Sequence, residues 1–381
     1  LSTVVITYDY LSPAQVAAMH AACDEMARRG HRLVPVEFFG DLPAYGWKRG
    51  DVPRPPSWQS LYPDRSEASR HRVFADLARL VRRESADVLV VNGWYHAVAW
   101  WSIVARPVLP VKLVLVADST DQDKRRRPVL EAAKRAFLRR VDAVFTGGTR
   151  QRRYLEALGV DPARITDGCD VVDNARFARE PGAGGESTVV GTTARLVPPK
   201  NLEAALEAFA RVAADTPLPA LRWTIAGAGP LEAPLRRRAE KLGAPVDLVG
   251  YVEYDRMPAF YRGLDLYWQP SLSEPWGLAV NEAMASGLPV LVSDRCGCVE
   301  DLVTPENGWI HDTDEGGLER GLRTALAHRA EWPARGDASR ARVAPWGLER
   351  FARGLAAAVD VAIGAARSRG AAHARPAGGA A

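Results

Sequence analysis

Two rounds of one pattern run along this chain. Short, β-branched apolar runs alternate with amphipathic helical stretches, and a Gly/Pro-rich piece at 179–187 separates the rounds. The first round reads strand 3–8, helix 13–29, strand 32–39, helix 67–84, strand 87–91, helix 94–106, strand 111–117, helix 128–140, strand 142–146 and helix 149–158. The second reads strand 188–193, helix 201–214, strand 222–226, helix 230–242, strands 246–249 and 264–268, a helix after Gly277 and strand 288–292. Strands joined through helices pair in parallel and are covered on both faces, which makes each round an α/β domain. A chain of 381 residues also exceeds what one core usually supports. The expectation is a domain over 1–178, a second over 179–345, a last amphipathic helix at 346–366 packed back on the first, and a mobile Ala/Gly-rich tail at 368–381.

Composition removes several function classes. A net charge of +4 is small for this length and argues against a dedicated nucleic-acid binder. Four scattered cysteines suit neither a disulfide framework nor a paired CxxC zinc site, so a reduced, cytoplasmic setting is the simplest. No run reaches the length of a membrane span and no secretory leader opens the sequence. The basic run Lys124, Arg125, Arg126 and Arg127 reads as a solvated helix entry, with peripheral membrane contact left open. After the first strand stands Asp9-Tyr10-Leu11-Ser12-Pro13-Ala14 where a Rossmann dinucleotide site would carry G-x-G-x-x-G, so a nicotinamide enzyme loses its main support.

Two loops of the second round carry the chemistry. The first is Ala194-Arg195-Leu196-Val197-Pro198-Pro199-Lys200-Asn201, between strand 188–193 and a helix. It offers a guanidinium fork and a compact ammonium at a strand's carboxyl end, the pair needed to neutralise a diphosphate without a metal, although surface charge is the plain alternative. The second runs from Gln269 to Val303 and places Glu274 in a loop and Glu282 on the following helix, with seven residues between them. Gly277 lets a ligand approach the backbone, the amides of Trp276, Gly277 and Leu278 suit an anion, and a carboxylate among them would accept sugar or ribose hydroxyls.

This second stretch, Glu274-Pro275-Trp276-Gly277 followed by Asn281-Glu282-Ala283-Met284-Ala285-Ser286-Gly287-Leu288-Pro289-Val290, resembles the E-x7-E segment of the family 4 retaining glycosyltransferases, whose GT-B fold faces two Rossmann-like domains across a cleft. The resemblance implies that Glu274 contacts the donor sugar and Glu282 the nucleotide ribose. ARLVPPKN is similar to the family's R-x4-K segment, implying that Arg195 and Lys200 hold the donor diphosphate. Gly227 in Ala226-Gly227-Ala228-Gly229 resembles the family's Gly-rich turn, and Val252 lies in a segment similar to the one beside the base. In the first round the likeness is looser. Asp118 stands where many members carry a His beside the reacting sugar, and the Gly-Gly loop after the first strand is replaced by Asp9 to Ala14.

The reading is a retaining, metal-independent hexosyltransferase that needs no cofactor and takes an NDP-sugar, with UDP the expected nucleotide, to an acceptor hydroxyl or amine on a small molecule or glycan. Catalytic roles fall to Arg195, Lys200, Glu274 and Asp118. Acceptor contacts are expected from Asp9, Tyr10, Asn92, the aromatic loop 40–64 with Trp47 and Trp58, and His96, whose plain role on an apolar helix would be packing or capping. A UDP-sugar epimerase of the same fold and a non-catalytic sugar-nucleotide sensor are the alternatives. The first would not need the E-x7-E segment, and the second would be expected to have lost one of the four charged residues.

Overall fold

The computed structural model describes residues 1–39, 53–63, 69–94, 96–123, 126–178, 187–216 and 221–373. Seven strands form the first sheet: β1 (Ser2–Tyr8), β2 (His31–Phe39), β3 (Gln59–Tyr62), β4 (Val88–Asn92), β5 (Lys112–Ala117), β6 (Ala143–Thr146) and β7 (Ile165–Asp167). Six form the second: β8 (Thr188–Thr193), β9 (Leu221–Ala226), β10 (Val246–Gly250), β11 (Leu266–Gln269), β12 (Val290–Ser293) and β13 (Gly308–His311). Their orders are β3-β2-β1-β4-β5-β6-β7 and β10-β9-β8-β11-β12-β13, with parallel pairing throughout.

Each sheet starts on an inner strand, winds outward in one direction, then returns to wind in the other. The reversal falls between β1 and β4 in the first sheet and between β8 and β11 in the second. A crevice opens outside the carboxyl ends of the strands at such a reversal, and both crevices in this chain hold the candidate residues.

The period-2 alternation of β-strand side chains divides the first sheet's core into two layers. Val5, Leu89, Leu113 and Leu115 face one layer, with Leu77, Val98 and Phe137 from helices Arg70–Arg83, Ala97–Ala105 and Pro128–Leu138. Val4, Ile6, Val88 and Val114 face the other, with Met19 and Met26 from helix Pro13–Arg28 and Phe351, Leu355 and Val359 from helix Leu348–His373. The chain thus crosses from the second domain back to the first, and its last helix completes the first domain's core. Arg350 pairs with Asp167 at 2.7 Å, and Thr166 Oγ1 donates to the Gly354 carbonyl at 3.0 Å.

Two sequence expectations change. The stretch 40–64, read as one loop, contains edge strand β3, which pairs with β2 through Val36 and Gln59. The tail expected from 368 is helical to His373, because an alanine-rich continuation favours the helix already nucleated on the core. Residues 374–381, most of the linker 179–187, and Lys124 and Arg125 lie outside the described residues.

Candidate active site

The loop after β8 and the loop after β11 meet. Leu272 N donates to the Pro199 carbonyl at 2.9 Å, which ties one loop to the other through backbone alone. Lys200 Nζ then reaches the Glu274 carboxylate, with the two side chains only 14% and 15% exposed. An ion pair this withdrawn needs other polar partners; two supply them and a third orients one of the two. Tyr267 OH donates to Gln269 Oε1 (2.6 Å), Gln269 Nε2 donates to Ser271 Oγ (2.7 Å), and both Gln269 Nε2 and Ser271 Oγ stand 3.5 Å from Glu274 Oε2. Gln269 and Ser271 were missed from sequence; their signal was two polar residues closing an otherwise apolar buried strand.

The close approach of loops depends on glycine. Gly227 has φ of 145°, and a Cβ there would lie 1.8 Å from the Ala194 carbonyl oxygen. The turn after β9 therefore supports the Arg195–Lys200 loop from beneath: Ala194 N donates to Ala226 O (3.0 Å) and Leu196 N to Ala228 O (2.9 Å). Gly227 thus shapes the loop that carries Arg195 and Lys200. Arg195 is exposed on the same loop and Val252 is half-buried beyond β10.

Gly277, with φ of 106°, caps helix Leu278–Ala285. Glu282 sits one turn in, and Tyr261 OH donates to its Oε2 at 2.7 Å. Burial pushes the Glu282 carboxyl up to about 7, while the Tyr261 hydroxyl and the Arg176 guanidinium pull it back. A buried carboxylate with Tyr261 as its donor would gain from further donors brought by a ligand. Leu278 is exposed at the helix start. Trp276, expected to act through its amide, is 2% exposed; its ring packs 4.8 Å from the Trp346 ring and donates to Asn281 Oδ1 (2.9 Å). The indole is part of the interdomain core rather than the wall of a ligand site.

The facing wall comes from the first sheet. Asp9 follows β1, Asn92 ends β4 and Asp118 follows β5. His96 Nδ1 lies 3.1 Å from Asp9 Oδ2, at the entry of helix Ala97–Ala105. The bond to Asp9 holds the His96 imidazole above its ordinary pKa against the effect of burial, with Asp118 adding to the rise. Asp118 opens onto the cleft, yet the walls keep enough water from it to raise its pKa, helped by the charges of Asp123 and Glu274 and opposed by His96. Asp170, unrecognised in the sequence, completes the group. Burial and the nearby Asp118 and Glu274 push it up to about 7, and the Cys169 thiol donates to it at 3.3 Å.

The remaining acceptor candidates are Tyr10, Trp58 and Trp47. Tyr10 is 6% exposed, yet it stands close enough to Tyr251, which follows β10 of the second domain, to help raise that hydroxyl's pKa, so it sits at the boundary of the two domains. Trp58 packs on the core beside helix Pro13–Arg28, and its neighbour Ser57 donates to Leu33 O, far back along β2 from its carboxyl end. Trp47 lies outside the described residues.

The walls are held together by helix Thr149–Ala157 of the first domain. Asp301 of the second domain accepts from Thr149 N (2.9 Å) and Thr149 Oγ1 (2.6 Å), doing for this helix what an N-cap side chain normally does. Arg150, 7% exposed, donates to the carbonyls of Asp294 (2.8 Å) and Cys296 (3.3 Å) and to Glu300 (3.1 Å). Gln151 donates to the Pro275 carbonyl (2.5 Å), pinning the Glu274 loop itself. Ser273 Oγ adds a bond to the Asp123 carbonyl (2.9 Å). No group of three His, Cys, Asp or Glu side chains among the described residues is arranged to hold a metal ion.

Comparison with known proteins agrees with this geometry. The family described as glycosyl transferases group 1 matches residues 173–340, and a glycosyl transferase 4-like domain matches 14–166. Between them they span both domains and both walls of the cleft. The chain belongs to the family 4 glycosyltransferases. A lipopolysaccharide core biosynthesis mannosyltransferase of Rhizobium meliloti is 27% identical over 321 residues, 75% of this chain and 84% of that protein. The GT-B fold is matched by sucrose-phosphate synthase from Thermosynechococcus elongatus, with a TM-score of 0.73 at 18% identity over 98% of this chain and 100% of that one. Anabaena HepE in complex with UDP and glucose gives 0.69 at 14% identity, over 97% and 100%. As a family 4 member the chain is a glycosyltransferase, and its cleft is the place to seek the reaction.

Proposed function

We propose that this glycosyltransferase moves a hexose from a nucleoside diphosphate sugar to an acceptor hydroxyl or amine, with retention at the anomeric carbon and without a metal. The observation that carries the proposal is the meeting of Lys200 with Glu274 at the end of the two loops, with Arg195 on one loop and Glu282 one helix onward.

In this reading the diphosphate lies against Arg195, Lys200 and the amides at the start of helix Leu278–Ala285. These fixed positive groups stabilise the charge that builds on the leaving phosphate oxygen as the bond from anomeric carbon to oxygen breaks. Glu274 turns from Lys200 towards the donor sugar, and Glu282 receives ribose hydroxyls. Asp118 lies nearest the electron-poor carbon from the opposite wall. The acceptor enters on the face the diphosphate is leaving, forms the new bond, and passes its proton to that phosphate oxygen, so no enzyme nucleophile is needed.

UDP is the nucleotide we infer. HepE, which shares the fold, was solved with UDP and glucose, whereas the Rhizobium relative is a mannosyltransferase, so GDP is the comparison that matters. Release of nucleoside diphosphate from UDP-hexoses and GDP-mannose, measured with EDTA present, tests the proposal. Slow donor hydrolysis that vanishes in Lys200→Ala supports it; hydrolysis unaffected by that change, or dependent on added metal, refutes it.

A further inference from the structure

Eleven large apolar side chains are exposed among the described residues, and five of them, Trp100, Val104, Val108, Val129 and Leu130, lie on or just after two neighbouring helices. They lie on helix Ala97–Ala105, the turn after it, and helix Pro128–Leu138. The two helices are neighbours on one face of the first sheet. The Trp100 ring lies 4.8 Å from that of Phe137, and Arg106 donates to the Arg140 carbonyl at 2.5 Å. Trp100 and Val104 are one helical turn apart and so share the outward side, with Val108 continuing the line. Val104 and Val129 are 77% and 79% exposed, so neither contributes to the core.

The same surface is cationic. Residues 126–140 hold six Lys or Arg against one Glu, and that Glu131 is already engaged by Lys134 and Tyr154. Arg127, Arg135, Arg139 and Arg140 are exposed, and none of them ion-pairs with a carboxylate among the described residues. Apolar side chains standing among unpaired arginines fit an interface whose interior is hydrocarbon and whose surface is anionic. A second copy of the chain fits less well, since a two-fold contact would set these arginines against themselves.

We propose that this face docks the protein onto a membrane surface rich in anionic lipid. The first turns of both helices follow the carboxyl ends of β4 and β5, so Val129 and Leu130 lie on the side of the domain that carries Asn92 and Asp118. Docking would bring the acceptor side of the cleft down to the lipid headgroups. The proposal does not depend on the donor or the reaction.

Co-sedimentation with phosphatidylcholine vesicles, with and without phosphatidylglycerol, tests it on the full chain. The protein is expected to sediment only with the phosphatidylglycerol vesicles and to be released by salt. Arginines near a charged membrane contribute about fivefold each to partitioning, so Arg135→Ser with Arg139→Ser lowers it on the order of twentyfold. Val104→Asp, Val129→Asp and Leu130→Asp together also release the protein, with an unchanged melting curve because all three side chains are exposed. Wild-type protein left in the supernatant at low salt would overturn the proposal, as would sedimentation of either variant equal to that of wild type. A dimer in light scattering that Val104→Asp dissociates would reassign the face to a subunit contact.

Discussion

Replacing Glu282 by glutamine separates what this residue does for folding from what it does for binding. The carboxyl is raised from 4.5 to about 7, mainly by burial. Between those values the folded protein keeps a proton that the unfolded chain has released. Stability from this group is therefore whole below pH 4.5 and is lost as the pH climbs through 7. A shift of that size corresponds to about 3 kcal/mol, at 1.36 kcal/mol for each pH unit. Glutamine still accepts the Tyr261 hydroxyl but cannot ionise. Urea unfolding at pH 5 and pH 8 should show wild-type protein losing about 2.5 kcal/mol more than Glu282→Gln across that interval. The Asp170 carboxyl titrates in the same range but is common to both proteins, so it cancels in the comparison. Nucleotide affinity should move the other way. Hydrogen bonds from ribose hydroxyls to a charged acceptor are worth about 1.5–3 kcal/mol, so the variant is expected to bind tenfold or more weakly while standing firmer at pH 8. Superimposable stability profiles would show that the buried carboxylate is not the strained group described here.

Other changes probe the loops and the interdomain tie. Lys200→Ala and Glu274→Ala should each lower the turnover number by about 10² to 10³, the usual result of removing one fixed charge-stabilising group, with melting temperatures close to wild type. Unaltered turnover in either would remove the assigned site. Gly227→Ala places a Cβ against the Ala194 carbonyl at φ of 145° and should cost more than about 1 kcal/mol in thermal unfolding, with weaker donor binding because the Arg195–Lys200 loop shifts. Arg150→Ala leaves the Asp294 and Cys296 carbonyls without their buried donor and should cost about 2 kcal/mol, together with faster proteolysis between the domains. Wild-type resistance to protease would mean that the helix Thr149–Ala157 contacts do not hold the cleft closed.

Much of this was readable in sequence, for reasons tied to particular residues. The strand, loop and helix around Arg195 and Lys200 are local, and local spacing survives folding. The pairing of Lys200 with Glu274 joins residues 74 positions apart. Only the resemblance to a family placed them together. Asp170 escaped notice because it lies on an irregular segment between β7 and helix Asn174–Phe177, and its environment arises only where three separate segments converge. The burial of the Trp276 ring was not readable because its neighbour Trp346 is far along the chain. His96 and Asp9 were each noted singly; their contact depends on β1 and β4 lying side by side, which the chain order alone does not reveal.

The central claim is that the cleft binds a nucleoside diphosphate through Arg195, Lys200 and Glu282. Calorimetric titration of UDP, GDP and dTDP with EDTA present tests it most directly. The account expects one of the three to bind with clear preference, UDP first, and that binding to weaken sharply in Lys200→Ala. Absence of binding by all three to the wild-type protein would contradict it.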